Sequence, residues 1–234
     1  MPKRILVVGG GLAGTIIANG LCRRLGAELR SGDVSISMLG ASDKHMYQPG
    51  LLYIPFGRFR ESELFRDQRT VLDRRVNYHV DPAKHIDVKN RTVTTQSGRA
   101  FLYDYVVLAT GSRLDLDSVP GLREGAHWFY DLEGAKKLRS ALAAFQGGRI
   151  VVNVNAPHKC PVAPLEITFM LHEYLRERGL ADKTELTYTY PIGRLHSLEP
   201  VAHWALPEFE RLGIKHQTFF NTAEIDPARK VITS

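Results

Sequence analysis

Two groups of residues in this chain have the types and spacing to do chemistry. The first is a set of glycines. Gly9, Gly11 and Gly14 stand in G-x-G-x-x-G spacing inside ILVVGGGLAGTIIANGL, between the strand-like run Ile5–Val8 and the helically spaced Leu12–Leu25. Gly9 permits a tight turn, Gly11 lacks the Cβ that would keep a pyrophosphate away, and Gly14 lets the helix lie close to the strand. The helix N-terminus adds N–H donors and positive potential. That context points to dinucleotide binding, against the plain alternative of a merely tight strand–helix turn. The acidic residue that holds an adenosine ribose is expected at the end of the second strand, Val34–Leu39. Gly40 stands there instead, and Asp43 is either its substitute or a solvated turn aspartate.

The second group surrounds a cysteine. Another apolar strand is predicted at Arg149–Asn155 (RIVVNVN), but APHKCPVAPLE follows it, with Pro157, Pro161 and Pro164 and no glycine before Gly179. Side chains and proline rings obstruct a pyrophosphate and remove N–H donors, so NADH is not expected to bind here. Cys160 lies just before a helix predicted to begin near Pro164. Thiols at helix N-termini beside basic residues, here His158 and Lys159, are the type that does redox chemistry; an inert buried thiol is the other reading. Glu166, in the first helical turn, either faces back toward the sulfur or is simply a carboxylate favoured by the helix dipole. His196, in PIGRLHSLEP, falls on a loop after this region's second strand. A surface-loop histidine is its plain reading, and His127 has the same standing. None of the nine histidines pairs with a cysteine at metal-ligand spacing, so no metal is expected.

The elements that must position these residues alternate between strand and helix. Leu64, Phe65, Gln68, Val71 and Leu72 predict one amphipathic helix, and Leu138, Ala141, Leu142 and Phe145 another. Arg91–Thr95 and Ala100–Tyr103 flank Ser97-Gly98 as a hairpin, and Tyr105–Ala109 is a buried strand ending in Ala109-Thr110-Gly111. Leu114–Gly125 is turn-rich and is the expected connection between domains. Val76–Ser97 (VNYHVDPAKHIDVKNRTVTTQS) and Ile214–Ser234 (IKHQTFFNTAEIDPARKVITS) form an internal repeat, each with Ile-Asp, a basic turn, then Val and Thr. The expectation is an α/β protein with two Rossmann-like dinucleotide-binding domains on parallel sheets, residues 1–115 and 116–234. The second is cut short after entering its hairpin.

Composition sets the remaining bounds. The 234 residues carry a formal charge of +6 but no basic block with interleaved aromatics, so a solvated basic surface is expected and nucleic acid is not. No apolar run reaches the roughly 20 residues of a membrane-spanning helix, and no leader precedes the first strand, which argues for the cytoplasm. Two cysteines make no disulfide framework; Cys22, inside the first helix, reads as a small packing residue.

The glycine turn, YDYVVLATGSR and the repeated hairpin together resemble the two-dinucleotide-domain flavoproteins of the pyridine nucleotide–disulfide oxidoreductase superfamily. Within it, DKHMYQPGLLYIPFG and HKCPVAPLE are similar to segments of sulfide:quinone oxidoreductases and their relatives, the flavocytochrome c sulfide dehydrogenases. The resemblance covers essentially the whole chain and implies FAD in the first domain. Carried over by position, Gly9, Gly11, Leu12, Ala13 and Gly14 would surround the pyrophosphate, and Leu39 and Gly40 would lie at the second strand's end. Ala83 would meet the adenine, Ala109, Thr110 and Gly111 would close over the cofactor, and Gln48, within Tyr47–Pro49, would lie toward the flavin. The family's later Gly-Asp segment lies beyond this sequence, which leaves the FAD site incomplete. Many quinone-reducing members carry a further cysteine where His127-Trp128-Phe129 stands here, whereas flavocytochrome subunits are exported behind a leader.

For the complete protein the resemblance implies that hydrosulfide attacks a sulfur bridge or persulfide of Cys160 and a later cysteine. The released thiolate then attacks the flavin ring, with Glu166 or His196 handling protons and a membrane quinone taking the electrons. The membrane surface is expected to be met through a C-terminal segment outside these residues, at the inner face of the cell membrane, with a homo-oligomer possible. Two other readings stay open: an NADH-dependent flavoprotein disulfide or quinone reductase, and an inactive module of the same fold.

Overall fold

The computed structural model describes residues 2–234. The chain forms two compact units, residues 1–48 with 60–113 and residues 49–59 with 114–234. In the first, β1 (Lys3–Val8) leads through a glycine turn into α1 (Leu12–Arg24), a short α2 (Gly26–Ser31) and β2 (Val34–Gly40). Then come β3 (Lys44–Met46), β4 (Phe65–Asp67), the single-turn α3 (Gln68–Val71), β5 (Val76–Val80), β6 (Ala83–Asp87), β7 (Thr92–Thr95), β8 (Ala100–Leu102) and β9 (Tyr105–Leu108). The sheet has the order β5-β2-β1-β9 with every pair parallel. Alternation along β1 divides its side chains between two cores, because successive residues of a strand face opposite sides. Ile5 and Val7 pack with Ala18 and Cys22 of α1, and Leu6 and Val8 pack with Val93 and Tyr103 of the antiparallel β6-β7-β8 layer. Cys22 is thus a core residue.

The helix predicted over 64–72 does not form. A 3-10 turn, Glu61–Leu64, runs into β4, which pairs antiparallel with β3. The Asp67 carboxylate then accepts the Arg69 N–H and starts the separate short α3. Gln68 is wholly buried in polar company rather than on an apolar stripe: its amide donates to Thr15 Oγ1 at 2.9 Å and its carbonyl lies 3.1 Å from His45 Nδ1.

The second unit contains the short α4 (Leu122–Gly125), α5 (Leu132–Ala144), β10 (Gly148–Asn153), α6 (Ala163–Glu177), β11 (Thr184–Thr189), α7 (Glu199–Leu212), β12 (Lys215–Gln217), β13 (Glu224–Asp226) and β14 (Val231–Thr233). β10, β11 and β12 form a parallel sheet in that order, with Leu165, Leu171, Leu186, Tyr188 and Phe209 at the centre of its core. Leu52 of the 49–59 segment lies in the same core. The turn-rich stretch before α4 packs on the β13–β14 hairpin; a Cβ at Gly121 would overlap the Ile225 carbonyl oxygen.

The repeat holds at the level of single hydrogen bonds. The Asn90 N–H donates to Asp87 Oδ1 in one hairpin turn and the Arg229 N–H to Asp226 Oδ1 in the other, both at 2.9 Å. The next residues, Arg91 and Lys230, have φ of 50° and 55°. Strand order repeats too: β12-β11-β10 follows β5-β2-β1, and no counterpart of β9 lies beside β10 among the described residues. Both units are therefore α/β with parallel sheets wound in the Rossmann manner.

Candidate functional site

The first turn sorts its glycines by what each one avoids. Gly9 has φ +121°, and a Cβ there would overlap the Ala109 carbonyl oxygen at the end of β9. A Cβ at Gly14 would overlap the Gly9 carbonyl oxygen and come within 2.9 Å of Met38 Cε. Both glycines are required by the fold itself. Gly11 is different. Its φ and ψ of −79° and −169° suit any residue, and a Cβ there would meet nothing within 4 Å. The protein does not need a glycine at that position, whereas a ligand lying against the turn does. Gly11 is also the N-cap of α1, with no side-chain cap and no acidic residue in the first turn, so the N–H end faces outward without a competing anion. Leu12 and Ala13 are exposed on that turn, as are Thr110 and Gly111 after β9. These residues fit a diphosphate.

The end of β2 explains the missing carboxylate. The Tyr78 phenol occupies the space a side chain at Gly40 would need, and donates to the Ser42 carbonyl. Leu39 is buried. Asp43 is exposed, with Lys44 Nζ 4.0 Å from its carboxylate. Ala83 opens β6, and Gln48 opens a 3-10 turn that runs to Tyr53.

In the second unit the corresponding turn, Val154-Asn155-Ala156-Pro157, has no glycine. β10 ends at Asn153, whose Oδ1 accepts from Thr189 Oγ1 at 2.7 Å and Thr222 Oγ1 at 3.0 Å. One amide oxygen thus joins the end of β11 to the segment that follows β12; in strand register Asn153 is the counterpart of Val8, the residue before the glycine turn. The following loop carries His158, whose Nε2 lies 3.1 Å from the Tyr190 hydroxyl, and then the free, half-buried Cys160. The Cys160 carbonyl accepts from the Tyr130 hydroxyl at 3.5 Å. Burial, and then the nearby Cys160, push the Tyr130 phenol up to about 12, so it stays a protonated donor beside the sulfur at neutral pH. α6 begins with Pro164 in its first turn. Glu166 Oε1 accepts from the Tyr53 hydroxyl at 2.9 Å, which fixes the carboxylate against the 49–59 segment.

His196 corrects an expectation. Its loop position is as predicted, but the ring is wholly buried rather than at the surface. Nδ1 accepts the Leu198 N–H at 3.0 Å, so the ring proton sits on Nε2, a buried donor with no partner. His127 is exposed. The sequence reading missed Tyr53, Tyr130, Tyr190 and Asn153. Three of these are aromatic residues in apolar stretches, where the pattern signals core, and only their hydroxyl partners mark them out.

Residues 3–153 match the family described as Pyridine nucleotide-disulphide oxidoreductase. The chain belongs to that family. Among its relatives, it is 28% identical over 213 residues to the mitochondrial sulfide:quinone oxidoreductase of Mus musculus, covering 88% of this chain and 46% of that protein. It is 28% identical over 193 residues to the sulfide-quinone reductase of Aquifex aeolicus (strain VF5), covering 80% and 43%. The X-ray structure of the sulfide:quinone oxidoreductase from Aquifex aeolicus superposes with a TM-score of 0.83 at 22% identity, over 96% of this chain and 53% of that one. NDH2 from Plasmodium falciparum in complex with NADH gives 0.72 at 13% identity, over 97% and 50%. At those identities the likeness is one of fold. The chain spans about half the length of the family relatives it matches. Among the described residues, no helix is long and apolar enough to cross a membrane.

Proposed function

We propose that this chain supplies the FAD-binding and thiol-bearing parts of an oxidoreductase of the sulfide:quinone type, which oxidises sulfide and delivers electrons to a quinone at the inner face of the cell membrane. The observation that carries this reading is the contrast between the two turns. Gly11 leaves open a space that the fold does not use, while the equivalent turn after Asn153 has no glycine and leads through prolines to Cys160.

In this reading Gly9, Gly11, Leu12, Ala13 and Gly14 hold the FAD diphosphate through backbone N–H groups. Gly111 and Thr110 bound the cofactor, and Gln48 and Ala83 lie toward its two ends. FAD, when bound, supplies a two-electron acceptor. Cys160 is the sulfur that exchanges with a second cysteine, contributed from outside these residues because Cys22 is sealed in the core of the first unit. Hydrosulfide forms a new S–S bond as the old one breaks, and Cys160 leaves as thiolate. Tyr130 keeps its proton and donates at the Cys160 backbone. Glu166, oriented by Tyr53, or His196, whose ring proton sits on Nε2, handles the protons. The glycine-free, proline-rich loop stands against an NADH-dependent reaction, which would need a second open diphosphate turn.

The test is Cys160→Ser in the FAD-loaded enzyme. Flavin content and bleaching by dithionite are expected to be unchanged, while fast bleaching by sulfide disappears. Sulfide bleaching at the wild-type rate would reduce Cys160 to a packing thiol.

A further inference from the structure

The two parallel sheets differ at one edge. β1 and β10 are equivalent strands: Leu6 pairs with Ser37 as Val151 pairs with Thr187. The Gly9 N–H donates to the Leu39 carbonyl, and the Val154 N–H to the Thr189 carbonyl in the same way. On its other side β1 carries β9, in parallel register. The carbonyls of Arg4 and Val8 there accept the Asp104 and Ala109 N–H groups at 2.9 and 2.8 Å. On its other side β10 carries no strand among the described residues.

Strand geometry shows which groups this leaves open. Successive peptide groups of a strand point to opposite sides of it. The Val154 N–H faces β11, so those of Ile150 and Val152 do too, and the N–H groups of Arg149, Val151 and Asn153 face away. Free edges are commonly guarded by proline, bulges or charge. β10 has no proline, its register is unbroken, and only Arg149 is charged. Val151 is 44% exposed, whereas its counterpart Leu6 is 2% exposed. Val154, in the place of Gly9, lies in the core of the second unit.

We infer that β10 is the docking edge for a fourth strand of the second unit, an apolar segment of the β9 kind laid parallel to it. The kind of occupant follows from the first unit, where Tyr105–Leu108 (YVVL) fills the same edge. Parallel pairing also sets where the added strand ends. β9 ends against the glycine turn, where a Cβ at Gly9 would overlap the Ala109 carbonyl oxygen. The added strand therefore ends against the turn at Val154-Asn155 and walls the start of the loop that carries Cys160. A second copy has no such strand to offer, because its β9 is already paired with β1 along the edge that this pairing uses. The source is the remainder of the whole protein, since this chain spans about half the length of its relatives.

The experiment is binding of a synthetic peptide with the sequence of Tyr103–Gly111, YDYVVLATG, to the purified 234-residue chain. Lysines at both peptide ends keep it soluble. Amide hydrogen exchange by NMR is the readout. The peptide is expected to slow exchange at Val151 and Asn153 about tenfold or more, and to leave Val152, already bonded to β11, unchanged. Val151→Pro removes an outward N–H and spares the β11 ladder. It is expected to weaken the peptide about tenfold or more, with a melting temperature close to wild type. The same peptide with proline for its second valine, whose N–H faces β1 in the first unit, is expected not to bind; this arm needs no change in the protein. The inference is overturned if the wild-type chain does not bind the peptide, or if protection falls elsewhere than on β10. It is also overturned if Val151→Pro or the proline peptide binds equally well. Self-association that protects Val151 without peptide would overturn it too, by giving the edge to a second copy.

Discussion

The two strand–helix turns of this protein occupy equivalent places in equivalent sheets, yet solve opposite problems. After β1 the backbone is bare: Gly9 and Gly14 are dictated by close contacts within the protein, and Gly11 by nothing the protein contains. β10 ends at Asn153, bonded to Thr189 and Thr222, and the chain then passes without a glycine through prolines to a cysteine. On the proposed reading, one scaffold serves a diphosphate where the turn is bare and a thiol where it carries side chains. The difference in sequence between the two turns lies in a few Cβ atoms on a repeated fold.

That contrast can be broken at four points. The largest effect is expected for Gly9→Ala, which combines a left-handed φ with overlap on the Ala109 carbonyl. It is expected to lower the unfolding free energy by about 3 kcal/mol, measured by urea denaturation. Gly11→Val separates binding from folding. Its side chain enters open space, so stability should stay within about 0.5 kcal/mol of wild type, while FAD affinity falls by about 100-fold, or about 2.7 kcal/mol. If both quantities fell together, Gly11 would be a structural glycine like its neighbours. Asn153→Ala removes the bonds from β10 to Thr189 and Thr222 and leaves the buried Thr189 hydroxyl unpaired. A loss of about 2 kcal/mol is expected, and it should not confer NADH binding, since the prolines remain.

The smallest effect concerns pH. The Tyr130 phenol is shifted from 10.0 to about 12, chiefly by burial. A folded value above the unfolded one means that the folded state holds the proton more tightly. The stabilisation is complete below pH 10 and is lost as pH rises toward about 12. Tyr130→Phe should flatten the fall of melting temperature across that window; an unchanged slope would place the alkaline transition elsewhere.

Much of this was legible in the sequence, for identifiable reasons. The glycine turn, the strands at Ile5–Val8 and Tyr105–Leu108, and the repeated hairpin are local patterns, and local sequence determines them; the burial expected for Tyr105–Ala109 does not follow, since Tyr105 and Leu108 are exposed. The hairpin match extends to paired aspartates and paired left-handed residues. Residues 64–72 misled because a helical apolar period was present while the backbone of Phe65–Asp67 was claimed by β3, a pairing no local pattern reveals. The plain surface-loop reading of His196 fails because loops are usually polar and exposed, whereas its burial depends on packing from distant elements. The Tyr53–Glu166 bond joins residues far apart in sequence, and nothing in either neighbourhood announces the other. Gly40 looked like a lost ligand until Tyr78 supplied its cause.

The most direct measurement of the central claim is a dinucleotide titration of the purified chain, with bound FAD and bound NADH counted by equilibrium dialysis. The account predicts one equivalent of FAD, abolished by Gly11→Val and untouched by Cys160→Ser, and no bound NADH. A second dinucleotide per chain, or NADH retained by the Gly11→Val protein, would show that the turn after β10 is an open cradle, and would contradict the account.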